Sequence, residues 1–303
     1  MEKVIAVIVT YNRKTLLQRV VDSLRNQSVP LYRIIVVNNG STDGTGEWLG
    51  GQDGLTVIHQ ENVGGSGGFW RGIKEASRLD CDWIWCMDDD VFPREDCLKT
   101  LLDYASLNSK VGIACPHRLM SGKTFVGEAK SLNLTNPFKD MHDDMLSATD
   151  VENSDAVDIE GMAFEGPLIR KSVVEAIGLP NKDLFILYDD TDYSYRAVRA
   201  GYRVVVVRDA LMDKHDFMSV SNYREEKMKN KWKLAYHIRN TAYFGHRYGK
   251  NIWVRHFAAM PFLVHMYMAI TYNFVKGHKY SFSDYILFWR MMRRGQKEKL
   301  GKM

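Results

Sequence analysis

The sequence predicts an α/β fold with a mostly parallel central sheet in residues 1–215 and a helical region in residues 216–303. Short runs of β-branched and apolar residues alternate with amphipathic segments in the first region, which is typical of parallel sheets. Dense glycine and asparagine turns separate these runs. Beyond residue 215 the alternation stops, and aromatic residues at helical spacing take over.

Five buried strands are expected in the first 115 residues because each is a short apolar run. They are Val4 to Val9, Ile34 to Val37, Leu55 to Ile58, Trp83 to Asp88 and Val111 to Cys115. Apolar residues between Leu16 and Leu24 fall on one helical face. Further helices are expected from about Phe69 to Arg78 and after Pro93.

The second half of the sheet region is less regular. Residues 121–154 are polar with weak periodicity, which predicts a long loop region that covers the site as a lid. A strand and turn are expected from Ile159 to Arg170, and a helix from Val173 to Ile177 that Gly178 ends. A helix from Asp190 to Gly201 and a strand from Arg203 to Val207 complete the pattern.

The two regions differ in charge. Residues 1–213 hold 23 basic against 32 acidic residues, a net of −9, and residues 214–303 hold 18 against 5, a net of +13. A basic, aromatic segment favours an anionic membrane surface as partner, and the acidic first region argues against nucleic acid. The alternative is a helical subdomain that packs on the sheet. Phe257 to Val275 is marginal as a spanning helix because polar residues interrupt it. A helix lying in the interface fits better, with basic residues meeting anionic headgroups: Lys276, Lys279, Arg290, Arg293 and Arg294.

Cysteine usage and the amino terminus indicate the compartment. The four cysteines show no metal or disulfide spacing and are expected to be reduced and buried. The first residues lack a secretory pattern. We therefore expect a cytoplasmic protein that is peripheral on the inner face of the cytoplasmic membrane.

Three consecutive carboxylates, Asp88 to Asp90, end the strand that begins at Trp83. Like charges at this spacing repel one another, whereas Mg²⁺ or Mn²⁺ prefers such oxygen ligands. Ligands of open α/β sheets bind beyond the carboxyl ends of the strands, where this triplet would lie. The alternative is an acidic turn that suits the dipole of the helix after Pro93. The triplet alone leaves both interpretations open.

A glycine-rich stretch, Gly64 to Gly68, permits close approach of backbone N–H groups to an anion, and the next helix offers its positive end. It does not follow the first strand, as a dinucleotide fingerprint would. Beside an acidic triplet it favours a nucleoside diphosphate held between amides and a metal. The alternative is a flexible connector. Trp70 next to it is placed to line a sugar pocket, with core packing as its ordinary role.

A second acidic cluster, Asp189 to Asp192, opens a helix. Aspartates at a helix start cap free N–H groups, but one or two suffice for that. An additional carboxylate can act as a general base toward a hydroxyl nucleophile. After the last strand, His215 can complete a carboxylate–imidazole shell around Mn²⁺, although a lone histidine is more often a polar surface or core residue.

Taken in order, these motifs resemble the inverting glycosyltransferases of family 2, which have the GT-A fold. The matching segments are Val7 to Arg13, Val36 to Asp43, Asn62 to Gly65, Met87 to Asp90 and Tyr188 to Asp190. Asn62 to Phe69, Trp83 to Trp85 and Ile177 to Pro180 are most similar to bacterial galactofuranosyltransferases, and Tyr236 to Asn240 is similar to a segment of these and of rhamnosyltransferases.

The resemblance implies a role for each matching residue. Asp88 and Asp90 would hold the metal on the donor diphosphate, with His215 or its rival Asp213 completing the shell, and Asp190 would be the catalytic base. Donor contacts are expected at Thr10, Tyr11, Asn12, Arg13, Asn39, Asn62, Gly64, Gly65, Gly68 and Asp89. Acceptor contacts are expected at Trp70, Glu165 and Asp189, where Glu165 replaces an asparagine that is common in similar enzymes.

The resemblance thus implies a metal-dependent inverting transfer, with Mn²⁺ or Mg²⁺ as cofactor and UDP-galactofuranose as the favoured donor. The acceptor would be a lipid-linked glycan or a polysaccharide precursor of the cell envelope, such as O-antigen. A rhamnosyl or other hexosyl donor is the nearest rival. A sugar-phosphate nucleotidyltransferase and a non-catalytic glycan-binding or membrane-binding module are alternatives of other classes.

Overall fold

The computed structural model describes residues 2–216, 231–275 and 280–303. The strands are β1 Val4–Thr10, β2 Arg33–Asn38, β3 Leu55–His59, β4 Trp83–Asp88, β5 Val91–Pro93, β6 Val111–Met120, β7 Lys123–Phe125, β8 Ala129–Ser131, β9 Asp144–Met145, β10 Ala156–Asp158, β11 Leu168–Arg170 and β12 Arg203–Lys214. The helices are α1 Lys14–Arg25, α2 Thr45–Gly50, α3 Gly64–Ser77, α4 Cys97–Leu107, α5 Ala148–Glu152, α6 Lys171–Ile177, α7 Asp189–Arg199, α8 Lys231–Tyr248, α9 Ile252–Phe257, α10 Met260–Val275 and α11 Phe282–Gln296.

One sheet organises the first 216 residues, with the strand order β10-β12-β6-β11-β4-β1-β2-β3. Strands β4, β1, β2 and β3 are parallel neighbours, as are β6 and β12. Strand β11 runs antiparallel between β4 and β6. The carboxyl ends of β1, β2, β4 and β6 therefore meet at one edge, together with the residues that precede β11.

The apolar runs are buried because helices cover both faces of the sheet. Alternate residues of β1 point to opposite faces: Ala6 and Ile8 pack in the layer of α1 and α4, and Ile5 and Val7 pack in the layer of α3 and α7. All four cysteines are buried and unpaired. The expected α/β architecture and its five leading strands are confirmed.

The helix after β3 begins five residues earlier than predicted, because Gly64 to Gly68 form its first turns. Close packing explains this: a Cβ at Gly68 or Gly72 would lie 2.4 Å or 2.3 Å from a methyl group of Val9 or Val7. Glycine is a poor helix former, but here its small size lets α3 lie flat on β1.

The predicted long loop of residues 121–154 is partly regular, since it contains β7, β8, β9 and α5. Its apolar residues Leu132, Leu134 and Met141 pack against Tyr243 and Phe244 of α8. The segment is therefore anchored to the carboxyl-terminal helices.

Helices α8, α10 and α11 share an apolar cluster that includes Ile238, Leu263 and Phe288. Within the described ranges, no helix combines the length and the apolar character that crossing a membrane requires. The predicted boundary at residue 215 remains a prediction, and residues 217–230 of the predicted basic region lie outside the described residues.

Candidate active site

The candidate site lies at the edge where β1, β2 and β4 end side by side. Val9 pairs with Asp88, and Thr10 pairs with Asn38, so the polar residues after each strand meet. A cleft of about 400 Å³ opens there. Ten residues predicted from the sequence line it: Thr10, Tyr11, Arg13, Asn39, Asn62, Gly64, Gly65, Asp88, Asp89 and Asp90.

A three-carboxylate group stands on this edge, formed by Asp88, Asp90 and Glu165. One ligand oxygen from each lies within 4.8 Å of the others, a spacing that suits a divalent cation. Burial and the neighbouring charges of Asp90 and Glu165 raise the pKa of Asp88 well above its ordinary value. Among the residues that the structure describes, Asp88 has no ion-pair partner, so a cation from solution would be needed to stabilise its ionised form.

Glu165 reaches this group because its neighbours are fixed to β4. The Gly166 amide donates to the Cys86 carbonyl at 2.9 Å, and the Trp85 indole donates to the Gly166 carbonyl at 2.8 Å. Glu165 therefore lies beside the carboxyl end of β4. The sequence pattern assigned it to the acceptor, whereas the geometry places it with Asp88 and Asp90.

Basic side chains surround the three-carboxylate group. Lys214 Nζ lies 2.9 Å from Glu165 Oε1 and 3.3 Å from Asp90 Oδ1, and buried Arg118 bridges Glu165 and Glu128. Burial opposes ionisation of Glu165, but Arg118 and Lys214 outweigh it and hold its pKa below the ordinary value. Glu165 is thus held as an anion that can serve as a ligand.

The predicted third ligands occupy other positions. The imidazole of His215 is not among the candidate ligands that lie within 4.8 Å of one another. Only its backbone N–H reaches this region, where it donates to the Asp90 carbonyl at 2.9 Å. Asp213 forms a bidentate ion pair with Arg94 at the surface. Histidine ligation stays a prediction, and the geometry brings Glu165 where an imidazole was expected.

Asp89 is buried and holds the turn that follows β1. It accepts hydrogen bonds from the Thr10 hydroxyl at 2.7 Å, the Tyr11 amide at 3.3 Å and the Arg13 guanidinium at 3.1 Å. Arg13 also contacts Asp90 at 3.0 Å. Asp89 therefore stabilises the turn after β1, and this turn places Tyr11 and Arg13 in the cleft lining.

Two asparagines shape the opposite wall, and a third, Asn12, lies outside it. Asn39 is buried, and its amide bonds the Gly64 carbonyl at 3.0 Å and the Gln60 amide at 2.9 Å, which fixes the start of α3 to β2. Asn62 accepts from the Gly64 amide at 3.0 Å. Asn12 accepts from the Thr42 amide at 2.7 Å and lies outside the cleft lining. Asn12 and Asn39 therefore join neighbouring loops.

The first glycines of α3 face the cleft differently. Gly64 has φ +80°, and a Cβ there would lie 2.0 Å from the Phe185 carbonyl oxygen, so only glycine fits. Gly65 has open space around it. Gly68 lies against Val9 on the sheet side of the helix. Gly64 and Gly65 thus form the cleft wall at the positive end of α3, and Gly68 has a packing role.

The second acidic cluster divides by task. Asp192 accepts from Tyr248 at 2.7 Å and from Arg196 at 2.9 Å, which is structural. Asp190 is half-buried and accepts from the Thr191 amide at 2.7 Å. Burial and the nearby charges of Asp189 and then Glu165 raise the pKa of Asp190 to about 8.

Glu165 also raises the pKa of Asp88, so it connects Asp190 electrostatically with the three-carboxylate group. Buried Asp189 has its pKa raised to about 6, chiefly by burial. A carboxyl group with a pKa near neutrality is suited to general-base work, which favours Asp190 over an ordinary capping residue.

Trp70 does not line this cleft. It lies in a neighbouring cavity of about 330 Å³, between Lys74 and Lys182, whose ammonium groups are 4.5 Å and 4.9 Å from the ring centre. Phe185 lines both cavities and separates them. Trp70 could therefore contact a sugar only in this neighbouring cavity, on the other side of Phe185 from the cleft.

Several site residues were missed by the sequence reasoning. Trp232 and Lys233 of α8 and Phe185 and Ile186 complete the cleft lining. His142 reaches the first turn of α7, with Nε2 at 3.4 Å from the Thr191 hydroxyl. Only Trp232 gave a signal, its helical spacing with Tyr236. The others come from segments whose contacts depend on the fold.

The fold and site together define a glycosyltransferase with the GT-A architecture. The chain belongs to glycosyl transferase family 2, whose profile matches residues 5–178. In structure, the chain is similar to GalNAc-T7, determined with UDP, GalNAc and Mn²⁺, with a TM-score of 0.57 and 13% identity over 91% of this chain and 58% of that one.

Similar sequences include galactofuranosyltransferase GlfT1 of Mycolicibacterium smegmatis, 30% identical over 66% of this chain and 67% of the relative. GlfT1 of Mycobacterium tuberculosis is 31% identical over 66% of each chain. The O-antigen chain rhamnosyltransferase RfbN of Salmonella typhimurium is 24% identical over 69% of this chain and 65% of RfbN. The matches thus span about two thirds of these relatives. The resemblance to family 2 and to galactofuranosyltransferases is confirmed.

Proposed function

We propose that this protein is a metal-dependent inverting glycosyltransferase that moves galactofuranose from UDP-galactofuranose to a hydroxyl of a lipid-linked glycan or polysaccharide precursor. The observation that carries the proposal is the position of Asp88, Asp90 and Glu165 on the same cleft as the amino-terminal glycines of α3. A nucleoside diphosphate bridging a cation and a helix start would fit this arrangement. The similarity to GlfT1 supports the donor sugar.

The residues present fit a divalent cation. Asp88 is partly buried and has no ion-pair partner among the described residues, and Asp90 and Glu165 supply further oxygens at ligand spacing. Mn²⁺ or Mg²⁺ held there would stabilise the negative charge that develops on the departing diphosphate. The structurally similar GalNAc-T7, determined with Mn²⁺, supports the cation type but leaves the choice between the two open.

Asp190 is the proposed base. It would accept the proton of the acceptor hydroxyl, whose oxygen attacks the anomeric carbon from the face opposite the diphosphate, which inverts the configuration there. The helix start of α7 presents Asp190, and the anchored segment around His142 borders the same turn. Acceptor binding is proposed on this side, away from the nucleotide wall formed by Thr10 and Asn39.

Attachment to an anionic membrane surface, on the inner face of the cytoplasmic membrane, is proposed for the carboxyl-terminal helices. Each of α9, α10 and α11 exposes apolar side chains: Ile252, Trp253, Phe257, Val264, Met268, Tyr272, Phe282, Ile286 and Trp289. Exposed Arg290 and Arg293 stand on α11 beside them. Apolar side chains rimmed by basic residues favour the interface of an anionic bilayer. The predicted contacts of Lys276 and Lys279 lie outside the described residues.

A donor screen tests the proposal. The protein is incubated with a lipid-linked glycan and, separately, UDP-galactofuranose, dTDP-rhamnose and UDP-hexopyranoses, each with Mn²⁺, Mg²⁺ or EDTA, and product mass is followed. Transfer from UDP-galactofuranose that EDTA abolishes is the expected result. Transfer from dTDP-rhamnose alone would replace the donor by the one that the similarity to RfbN favours. In a parallel incubation with a nucleoside triphosphate and a sugar phosphate, release of pyrophosphate would indicate a sugar-phosphate nucleotidyltransferase and reject the proposed glycosyltransferase.

A further inference from the structure

A strained backbone segment leads into the proposed base. Phe185, Leu187 and Tyr188 each have φ +67°, a region that side-chain-bearing residues rarely adopt. Asp189 and Asp190 follow at once as the first residues of α7. A segment of this kind persists only where its surroundings hold it.

The strained segment, residues 184–188, also forms part of the donor cleft. Phe185 and Ile186 line the cleft, and the Phe185 carbonyl accepts from the Ser66 amide at 3.2 Å in the first turn of α3. The conformation of this segment therefore shapes one wall of the donor cleft. It also sets the orientation of the first turn of α7, which carries Asp190.

Asn240 of α8 holds the strained segment through three carbonyl groups. Its Nδ2 lies 3.2 Å from the Leu184 oxygen, 2.8 Å from the Ile186 oxygen and 2.9 Å from the Leu187 oxygen. The Asn240 side chain is completely buried. No other single side chain of the described residues contacts three carbonyls of this segment.

Arg239 determines which way the Asn240 amide points. Its Nε donates to Asn240 Oδ1 at 2.8 Å, and an arginine can only donate. The amide must therefore turn its NH₂ group to the carbonyls of the strained segment. Arg239 itself is buried, stacks on Tyr236 with 4.6 Å to the ring centre and donates to the Leu184 carbonyl at 2.6 Å.

Two further bonds tie the same helix to Tyr188 and to α7. The Thr241 and Tyr188 hydroxyls are hydrogen-bonded at 2.9 Å, and the Tyr248 hydroxyl donates to Asp192 at 2.7 Å. Helix α8 thus grips the strained segment at its start, its middle and the first turn that follows. The contacts that concentrate on the strained residues are those of Asn240.

We propose that Asn240 is a positioning residue for the glycosyl transfer: oriented by Arg239, it holds residues 184–188 so that Asp190 stands at the carboxylate edge of the donor cleft. The inference rests on the proposed role of Asp190. It assigns to the carboxyl-terminal helical region a direct part in the reaction, separate from any part in membrane attachment.

The test uses three variants of the full-length chain. Asn240→Ala removes the donor, and Asn240→Asp keeps the shape but turns a carboxylate oxygen toward the carbonyls, which repel it. Tyr243→Phe is the matched control, since it removes the hydrogen bond that Asn181 donates to the same helix, keeps the aromatic ring, and breaks no hydrogen bond to the strained segment. Both Asn240 variants are compared with the control for kcat, KM, the pH dependence of kcat and amide hydrogen exchange of residues 184–191.

We expect both Asn240 variants to lower kcat by about 10- to 100-fold, since misplacement by about 1 Å can have such an effect. We also expect a shifted acidic limb of the pH profile and faster exchange in residues 184–191, with Asn240→Asp at least as affected as Asn240→Ala. Tyr243→Phe should keep kcat and the exchange pattern of the wild type within about twofold, because the ring stays and the strained segment loses no hydrogen bond.

Unchanged exchange of residues 184–191 in both Asn240 variants would overturn the clamp itself. Faster exchange with unaltered kcat and acidic limb would overturn its part in positioning the base. If the wild-type protein transfers no sugar from any donor, the proposed function fails, and the exchange measurement still decides whether Asn240 holds the segment.

Discussion

Lys214 Nζ lies 2.9 Å from Glu165 Oε1, inside the group of carboxylates proposed to hold the cation. The ammonium group is almost completely buried and also contacts Asp90 at 3.3 Å. Lys214 therefore neutralises part of the negative charge that would otherwise attract a divalent ion. The ammonium group of Lys214 and the proposed divalent cation would therefore compete for the same carboxylate oxygens.

This competition predicts opposite effects of two neighbouring substitutions on Mn²⁺ affinity. Lys214→Met should raise affinity by roughly tenfold or more, because removing a like charge within about 5 Å is worth more than 1 kcal/mol at an effective dielectric near 20. Glu165→Gln should lower it by about 10- to 100-fold through loss of a charged ligand. Calorimetric titration with MnCl₂ measures both.

Asp213→Asn is the control for these titrations, because Asp213 pairs with Arg94 at the surface. Its Mn²⁺ affinity should match the wild type within about twofold, as expected for an exposed pair. A loss as large as that of Glu165→Gln would instead make Asp213 the ligand.

Asp190→Asn should abolish most turnover while leaving the donor cleft intact. We expect kcat to fall by about 10²–10⁴, the usual range for loss of a general base. Binding of UDP in the presence of Mn²⁺ should stay the same, because Asp190 does not line the nucleotide wall. Steady-state kinetics and UDP calorimetry separate these effects. Near-normal kcat in a folded variant would remove Asp190 from the mechanism.

The raised pKa of Asp190 also predicts a stability effect with a defined sign. Its pKa is about 8 in the folded protein and 3.8 as the ordinary value, so the folded state favours the protonated form. In EDTA, its contribution to stability is present below about pH 4 and is lost as pH rises toward 8, by up to about 1.4 kcal/mol per pH unit.

Asp190→Asn removes this dependence, so the variant should become more stable than the wild type as pH increases across that window. Urea unfolding at pH 4.5, 6 and 7.5 gives the difference, and the comparison of the two proteins cancels the titrating groups that do not interact with Asp190. A difference that is constant with pH would contradict the raised pKa.

The glycines at the start of α3 predict a contrast between adjacent positions. Gly64→Ala should destabilise the fold by about 3 kcal/mol or more, because φ is +80° and the Cβ would collide with the Phe185 carbonyl. Gly65→Ala has open space and should change stability by less than about 1 kcal/mol. Thermal and urea unfolding measure both. Equal stabilities would show that Phe185 can withdraw freely.

Membrane attachment predicts that exposed apolar residues matter only on the carboxyl-terminal helices. Phe282→Ser with Trp289→Ser should reduce co-sedimentation with vesicles of phosphatidylglycerol by about tenfold or more, through loss of buried apolar area. Phe138→Ser is the control, because Phe138 is 83% exposed on a different segment. Equal loss in the control, or binding that persists in both, would reject this surface.

The sheet and the acidic edge could be predicted from local pattern. The strands from Val4 and Trp83 are continuous apolar runs. The consecutive aspartates at the end of the second run are recognisable from the sequence as candidate ligands of a divalent cation. A resemblance in five ordered motifs then placed most of the cleft lining. Such features are encoded within a few residues of each other, so one sequence suffices to find them.

Features that depend on distant contacts could not be predicted. Glu165 joins Asp88 only because an antiparallel strand enters between β4 and β6. Gly64 and Gly68 are tolerated in a helix despite their low propensity because Phe185 and Val9 leave no room for a Cβ at these two positions. The grip of Asn240 on Ile186 spans 54 positions of the chain. No periodicity reports any of these.

The direction of β11 makes one ligand adjustable independently of the others. Glu165 precedes its strand, whereas Asp88 ends β4 and Asp90 follows it. The short link Gly166–Pro167 therefore sets how close the Glu165 backbone comes to the pair, and Arg118 and Lys214 hold its carboxylate. Inserting or deleting one residue in that link would move Glu165 by about 3.5 Å while the nucleotide wall stays in place. A change in the length of this link could thus alter the cation preference of the proposed metal site while the residues proposed to bind the donor nucleotide keep their positions.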